Sequence, residues 1–96
     1  MISAPLVAVD VGGTHTKIRM VSSIDHEATL EVEQVARNRT DMLEILGDTL
    51  SANTDTPPVW CVLSAAGPVE DGEHVRMTNW PSQRRISLAD LGKAGV

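Results

Sequence analysis

The sequence predicts an α/β domain with the element order β-β-β-α-β-hairpin-α, incomplete at its C-terminal end. Three observations carry this prediction. An apolar run, Leu6–Val9, is followed by Asp10, Val11 and a pair of glycines, which is typical of a buried strand that ends in a tight turn. Two segments of alternating polarity follow at 16–21 and 28–35, as expected of half-buried strands. Apolar residues then recur every three or four positions through 42–50, which indicates a helix.

The first three strands are predicted to form an antiparallel sheet, because only short turns separate them. In the second strand, Thr16–Val21, and the third, Ala28–Val35, apolar residues occupy one face and charged residues the other. Pairing of these strands would bring cations and carboxylates together on one face, which favours the pairing. The charged positions are Lys17, Arg19, Glu31 and Glu33.

The helix is predicted to begin near Asp41, which has capping-box spacing with Glu44, or to be capped by Thr40 instead. Its apolar stripe comprises Met42, Leu43, Leu46 and Leu50. Ser51–Pro58 should end the helix and form a loop. Val59–Leu63 then predicts a second buried strand, parallel to the first because a helical crossover precedes it, and the expected sheet order is 3-2-1-4.

The last third of the chain predicts a hairpin and a short helix. Asp71 and Gly72 suit a tight turn that needs positive φ. The helix is expected at Leu88–Lys93, with Ser87 as its N-cap and Gly95 as its stop signal.

Composition limits the classes of function. The net charge of −5 and the presence of two tryptophans as the sole aromatic residues argue against a nucleic-acid partner. Cys61 is the only cysteine, so no internal disulfide can form, and a reducing compartment is expected. No apolar run approaches the roughly 18 residues of a membrane span, and no cationic leader precedes the first apolar residues. We therefore expect no membrane association and a cytoplasmic location.

The segment Asp10-Val11-Gly12-Gly13-Thr14 carries the chemistry that a phosphate site needs. Adjacent glycines let backbone N–H groups face a phosphate without an obstructing Cβ, and Thr14 adds a hydroxyl donor. Asp10 ends the strand, where its carboxylate can hold Mg²⁺ through water. The motif lacks the Gly-Lys-Ser/Thr of a P-loop and the third glycine of a dinucleotide-binding fingerprint. An ordinary hairpin turn with a solvated aspartate is the alternative interpretation.

The segment 7–14 resembles the first phosphate loop of the actin-like sugar kinases, among which the bacterial glucokinases are most similar. The second half of the chain agrees with that pattern at Leu63–Val69, in the hairpin through Gly72, at Met77–Trp80 and at Ile86–Leu91. The resemblance implies a ribonuclease H-like (actin-like ATPase) N-terminal subdomain. Residues 1–96 would be its front part, with the phosphate loop at 9–14 and a sugar-side segment at 64–81.

The resemblance also implies a reaction, the glycolytic transfer of the γ-phosphoryl group of ATP, with Mg²⁺, to the 6-hydroxyl of glucose. It assigns phosphate binding to residues 10–14 and to Lys17, where the family usually has arginine, whereas His15 replaces the family's asparagine. It assigns sugar contacts to Gly67, Pro68, Thr78 and Asn79. The family's catalytic aspartate belongs to an Asn-Asp pair that would lie beyond Val96, so this chain by itself is expected to contain no catalytic base and to be inactive.

Several alternatives stay open. The parent could be a different actin-like sugar or acid kinase, or the chain a non-catalytic phosphate-binding module or a proteolytic remnant. Lys17 is equally suited to pair with Glu31 or Glu33, and Asn79 to form a turn before Trp80-Pro81. Asp90 is expected to face solvent, and Arg84 and Arg85 to lie in a solvated loop. The open edge of the strand at 59–63 predicts self-association.

Overall fold

The structure is a computed structural model that describes residues 6–21, 28–53 and 60–96. Its elements follow the predicted order, with one additional short strand. They are β1 (Leu6–Val11), β2 (His15–Val21), β3 (Ala28–Val35), α1 (Arg39–Asn53), β4 (Trp60–Ala65), β5 (Val69–Glu70), β6 (His74–Arg76), β7 (Arg85–Ser87) and α2 (Leu88–Lys93). No helix within the described ranges is both long and apolar enough to cross a membrane.

The main sheet has the strand order β3-β2-β1-β4, which confirms the prediction. β2 is antiparallel to β1 and to β3, whereas β4, which follows the helical crossover, is parallel to β1. The register places Val9 between Ile18 of β2 and Leu63 of β4. These residues share the face of the sheet that forms the core. The buried apolar residues are Val7, Val9, Val11, Ile18, Met20, Ala36, Met42, Ile45, Leu46, Leu50, Met77, Trp80, Ile86 and Leu91.

The opposite face of the sheet, here called the open face, stays largely exposed among the described residues. On it, Trp60 is 68% and Val62 56% exposed. The prediction that the first and fourth strands are buried therefore holds for the core face only, and Val59 lies outside the described residues. An apolar run does not reveal whether a second layer is present, and the described residues provide cover on one side only.

Ion pairs cross from β2 to β3 on the open face, as the charge pattern predicted. Lys17 Nζ lies 3.4 Å from Glu31 and 3.7 Å from Glu33, and Arg19 Nε lies 3.4 Å from Glu31. All four side chains are partly or well exposed, so each pair contributes about 1 kcal/mol or less. The pairs therefore support the strand register without dominating stability.

Helix α1 differs from its prediction at both ends. Its N-cap is Asn38, whose Oδ1 accepts a 2.8 Å hydrogen bond from the Asp41 N–H. Neither Asp41 nor Thr40 caps the helix, because Asp41 is the third residue of its first turn and the Thr40 hydroxyl donates to Gln83 Oε1 (2.6 Å). The helix also continues through Ser51–Asn53, so the predicted loop was wrong there, and residues 54–58 lie outside the description.

The buried face of α1 is also broader than the predicted stripe. It includes Ile45 and Thr49, whereas Leu43 is only half-buried. Thr49 is tolerated in the core because its hydroxyl donates to the Ile45 carbonyl (2.7 Å).

The predicted hairpin is present as β5 and β6, with positive φ at Asp71 (50°) and Gly72 (73°). A third strand, β7, completes a small sheet of order β5-β6-β7. The prediction of a solvated loop at Arg84 and Arg85 is confirmed for Arg84, which is exposed and precedes the strand, and was wrong for Arg85. Arg85 lies in β7 with Nη2 3.2 Å from Glu70 Oε1, and Arg84 Nε donates to the Trp80 carbonyl (2.6 Å).

Helix α2 has the predicted cap and stop. The Ser87 hydroxyl accepts from the Asp90 N–H (3.0 Å), the Asp90 carboxylate accepts from the Ser87 N–H (2.9 Å), and Gly95 has φ 106°. Asp90 is thus half-buried in a capping box and does not simply face solvent. The hydrogen bond from Ser87 holds the pKa of Asp90 below its ordinary value.

Candidate functional site

The glycine loop at 12–14 connects β1 to β2 and is held from two directions. The Gly12 N–H donates to the His15 carbonyl (2.9 Å), which closes the turn. The Thr14 carbonyl accepts from the Ala36 N–H (2.9 Å), which ties the loop to the segment after β3. The Val11 side chain is 1% exposed and belongs to the core, so this residue can offer a ligand only its backbone.

The segment 77–81 packs directly against this loop. A Cβ built on Gly13 would lie 2.9 Å from the Cβ of Asn79, so glycine is required for the approach. Trp80, 1% exposed, anchors the segment in the core beside Asn79. The two residues that the sequence assigned to different substrates, Gly13 and Asn79, are therefore neighbours.

Gly67 makes this placement possible by letting two backbone segments cross closely. A Cβ at Gly67 would lie 1.7 Å from the Arg76 carbonyl oxygen. Beside the crossing, the Thr78 N–H (3.3 Å) and hydroxyl (3.1 Å) both donate to the Ala66 carbonyl, and the Arg76 N–H donates to the Pro68 carbonyl (3.1 Å). In this structure, Gly67 and Thr78 thus hold the sugar-side segment in place.

The loop and the sugar-side segment together form one cleft of about 580 Å³, here called the loop cleft. It is lined by Gly13, Thr14, Arg37, Asn79 and Pro81. The structure thus brings together Gly13, Thr14 and Asn79 from the predicted site residues. It adds Arg37, which sequence reasoning missed because a lone arginine between a strand and a helix matches no motif.

The loop cleft contains donors that the protein itself leaves unused. Among the described residues, no hydrogen-bond partner exists for the N–H groups of Gly13 and Thr14, the Thr14 hydroxyl, the Asn79 amide or the Arg37 guanidinium. Donors of this kind suit the oxygen atoms of phosphates and sugars.

Asp10 and Lys17 lie elsewhere, in a smaller cleft of about 230 Å³ on the open face. The register places Asp10 between Lys17 of β2 and Ser64 of β4. The ion pairs of Lys17 with Glu31 and Glu33 support the cross-strand alternative, and its role toward phosphate stays a prediction. The structure therefore does not bring Asp10 into the loop cleft with Asn79.

The remaining predicted sugar ligands, Gly67, Pro68 and Thr78, do not line the loop cleft, and His15, at the start of β2, does not line it either. The sugar contacts of these residues stay predictions.

Other chemically suggestive groups have structural explanations. Asp71, Glu73 and His74 could hold a cation, since their ligand atoms lie within 4.8 Å of one another. They occupy an exposed turn in which His74 hydrogen-bonds the Asp71 carboxylate (2.9 Å), a contact that lowers the pKa of Asp71. Burial raises the pKa of the Cys61 thiol, which argues against a nucleophilic role.

A family model and a solved structure show what this chain is similar to. A family model described as glucokinase matches residues 6–93. A crystal structure of glucokinase from Balamuthia mandrillaris in complex with glucose superposes with a TM-score of 0.79 at 23% sequence identity. The match covers 90% of this chain and 25% of the neighbour, so the chain spans about a quarter of that enzyme's length. No curated protein sequence matches the chain. The neighbour shows the fold, and the fold class predicted from the sequence is confirmed.

Proposed function

The chain belongs to the glucokinase family, and we propose from this that it is the first part of a longer enzyme that phosphorylates glucose at the 6-hydroxyl with ATP. One observation carries the proposal beyond family membership. The glycine loop and Asn79 meet in the loop cleft, with Gly13 packed against Asn79. A phosphoryl group and an accepting hydroxyl must come together in such a place, because phosphoryl transfer depends mainly on positioning and charge neutralisation.

Each part of the loop cleft has a chemical role in this proposal. The unused N–H groups of Gly13 and Thr14 bind phosphate oxygens, and the Thr14 hydroxyl adds a further donor. The Asn79 amide both donates to and accepts from sugar hydroxyls, which orients the acceptor. Gly67, Pro68 and Thr78 keep Asn79 at this position.

Asp10 fits a magnesium ion held mostly by water and phosphate oxygens. Its carboxylate is exposed and has no ion-pair or hydrogen-bond partner among the described residues. A single carboxylate suits Mg²⁺, which keeps several waters and binds substrate phosphates. Asp10 does not line the loop cleft, so it would act on a phosphate bound there only through the ion, which it would hold through water at the end of β1.

The 96-residue chain is expected not to phosphorylate glucose by itself. None of the described residues that line the loop cleft is a carboxylate or a histidine, so no general base stands beside a bound hydroxyl. A coupled assay of glucose 6-phosphate formation tests this directly, and turnover above background would show that a base was missed.

We further propose that the enzyme works in the cytoplasm, in glycolysis.

We also propose that the 96-residue chain self-associates through the free edge of β4. Strand β4 pairs only with β1 among the described strands, so its other edge is free. Exposed Trp60 and Val62 lie on this strand, and an open edge with apolar side chains readily pairs with another chain.

The decisive experiment is steady-state kinetics of the complete enzyme and its Asn79→Ala variant. Loss of one hydrogen bond to the sugar is worth roughly 0.5–1.5 kcal/mol, so the KM for glucose should rise by about 2- to 10-fold while the KM for ATP stays unchanged. Ser82→Ala is the control, since this exposed serine is close in sequence and does not line the loop cleft.

Two results would contradict the proposal. Absence of ATP-dependent glucose phosphorylation would favour a different sugar or acid kinase, or a non-catalytic phosphate-binding module. Equal effects of Asn79→Ala on the KM values for both substrates would contradict the assignment of Asn79 to the sugar.

A further inference from the structure

We propose that Arg37 binds the phosphate group of the ligand in the loop cleft. The inference rests on the proposed function and extends it with a residue that the glycine motif does not contain. The group that Arg37 would bind is a phosphate, which either the nucleotide or the phosphorylated sugar would carry. Arg37 lines the same cleft as Gly13 and Thr14 on one side and Asn79 on the other.

The backbone on both sides of Arg37 is fixed. The Ala36 N–H donates to the Thr14 carbonyl (2.9 Å), and Asn38 caps α1 through the Asp41 N–H (2.8 Å). Arg37 is therefore held beside the glycine loop at a constant position. Such fixation means that ligand binding does not have to order this stretch of backbone, so only the side-chain rotamers of Arg37 lose freedom.

Helix α1, which follows Arg37, cannot supply backbone donors to a phosphate, because its first N–H groups are already hydrogen-bonded. The Arg39 N–H donates to the Gln83 carbonyl (3.2 Å), and the Thr40 N–H donates to Gln83 Oε1 (2.9 Å). The Asp41 N–H donates to Asn38 Oδ1, as described above. An anion at this end of α1 must therefore be bound by a side chain.

Arg37 is the cation that remains available there. The neighbouring Arg39 guanidinium donates to the Arg85 carbonyl (3.2 Å), whereas the Arg37 guanidinium, which is exposed, has no partner among the described residues. Guanidinium groups bind phosphate through two parallel hydrogen bonds, which gives both strength and orientation. In a chain of net charge −5, an unpaired arginine beside an unpaired glycine loop provides local positive charge for an anion.

The test measures binding to the 96-residue chain by isothermal titration calorimetry, with inorganic phosphate, glucose 6-phosphate and magnesium-free ATP as separate probes. Arg37→Gln should weaken binding by about 10- to 100-fold, the usual effect of losing charge-assisted hydrogen bonds. Arg37→Lys, which keeps the charge and loses the planar fork, should recover part of that affinity. Arg76→Gln is the matched control, because it removes the same charge from an exposed arginine that does not line the loop cleft.

The three probes distinguish the sources of the phosphate group. If Arg37→Gln weakens the binding of ATP alone, Arg37 binds the nucleotide, and if it weakens the binding of glucose 6-phosphate alone, Arg37 binds the product. Weaker binding of all three probes means that Arg37 recognises the phosphate group itself. Absence of binding by the unsubstituted chain, unchanged affinities in Arg37→Gln, or an equal loss in Arg76→Gln would each overturn the proposal. If the complete enzyme phosphorylates glucose while Arg37→Gln has no effect, the inference fails and the proposed function stands. If the enzyme has no such activity while Arg37→Gln still weakens phosphate binding, the proposed function fails and the anion site stands.

Discussion

Replacing Gly67 by alanine should loosen the crossing that holds Asn79 beside the glycine loop. The added Cβ would lie 1.7 Å from the Arg76 carbonyl oxygen, 2.7 Å from the Arg76 carbonyl carbon and 3.2 Å from the Met77 Cα. All three are backbone atoms, so no change of rotamer relieves the overlap. The two segments must separate by about 1.5 Å before the methyl group reaches ordinary contact distance.

The structure gives the magnitude of the loss. Three hydrogen bonds span the crossing, from Thr78 N–H (3.3 Å) and Thr78 Oγ1 (3.1 Å) to Ala66, and from Arg76 N–H to Pro68 (3.1 Å). At roughly 0.5–1.5 kcal/mol each, their loss costs about 1.5–4.5 kcal/mol. Alanine also lowers the conformational entropy of the unfolded chain, which stabilises the folded state by about 0.4–1 kcal/mol. The free energy of unfolding should therefore fall by about 0.5–4 kcal/mol.

Urea unfolding followed by tryptophan fluorescence measures this change. A Trp60→Phe background leaves Trp80 as the fluorophore, which reports on the core because it is 1% exposed, whereas Trp60 is 68% exposed. Gly92→Ala in α2 is the matched control, since a Cβ there meets nothing within 4 Å. It should raise stability by about 0.5–1 kcal/mol through helix propensity. The reasoning is refuted if Gly67→Ala is as stable as the unsubstituted chain.

Two further predictions concern the open face. In the complete enzyme, Asp10→Asn should lower kcat by about 100-fold while the KM for glucose stays unchanged, because it removes charge needed at the phosphates and not at the sugar. Asp48→Asn on exposed α1 surface is its charge control, and an unchanged kcat would contradict the assignment. For self-association, Val62→Lys at the free edge of β4 should shift the molar mass of the 96-residue chain to that of a monomer, measured by light scattering at micromolar concentration. Val69→Lys, at a 69% exposed valine of β5, should leave the mass unchanged, and an unsubstituted chain that is already monomeric would contradict the prediction.

Local pattern predicted most of the fold. The alternation in β2 and β3 specified both the strands and the face that each side chain occupies, because side chains in a strand alternate strictly. The charges of Lys17 and Glu31 agreed with the register that the structure shows. The Asp71-Gly72 turn and the Ser87 cap were predictable for the same reason, since each depends on residues only a few positions apart.

The start of α1 was not predictable in this way. Asn38, Thr40 and Asp41 are all acceptable caps by residue type. Gln83, more than 40 residues away, binds the Thr40 hydroxyl, and Asn38 is the N-cap of the helix. Strand β7 was missed because three residues are too few to show a period, and it forms by pairing with β6.

The sequence by itself determined the sheet order, the glycine loop and the family resemblance, because these depend on local periodicity and on short motifs. Only the tertiary structure decided which candidate residues meet. It placed Asn79 and Arg37 at the glycine loop, through the close crossing at Gly67 and the hydrogen bond from Ala36 to Thr14. It placed Asp10 on the open face of the sheet, because neighbouring residues of a strand point to opposite faces and Val9 and Val11 point into the core. Contacts between residues far apart in the chain depend on packing, which a single sequence does not display.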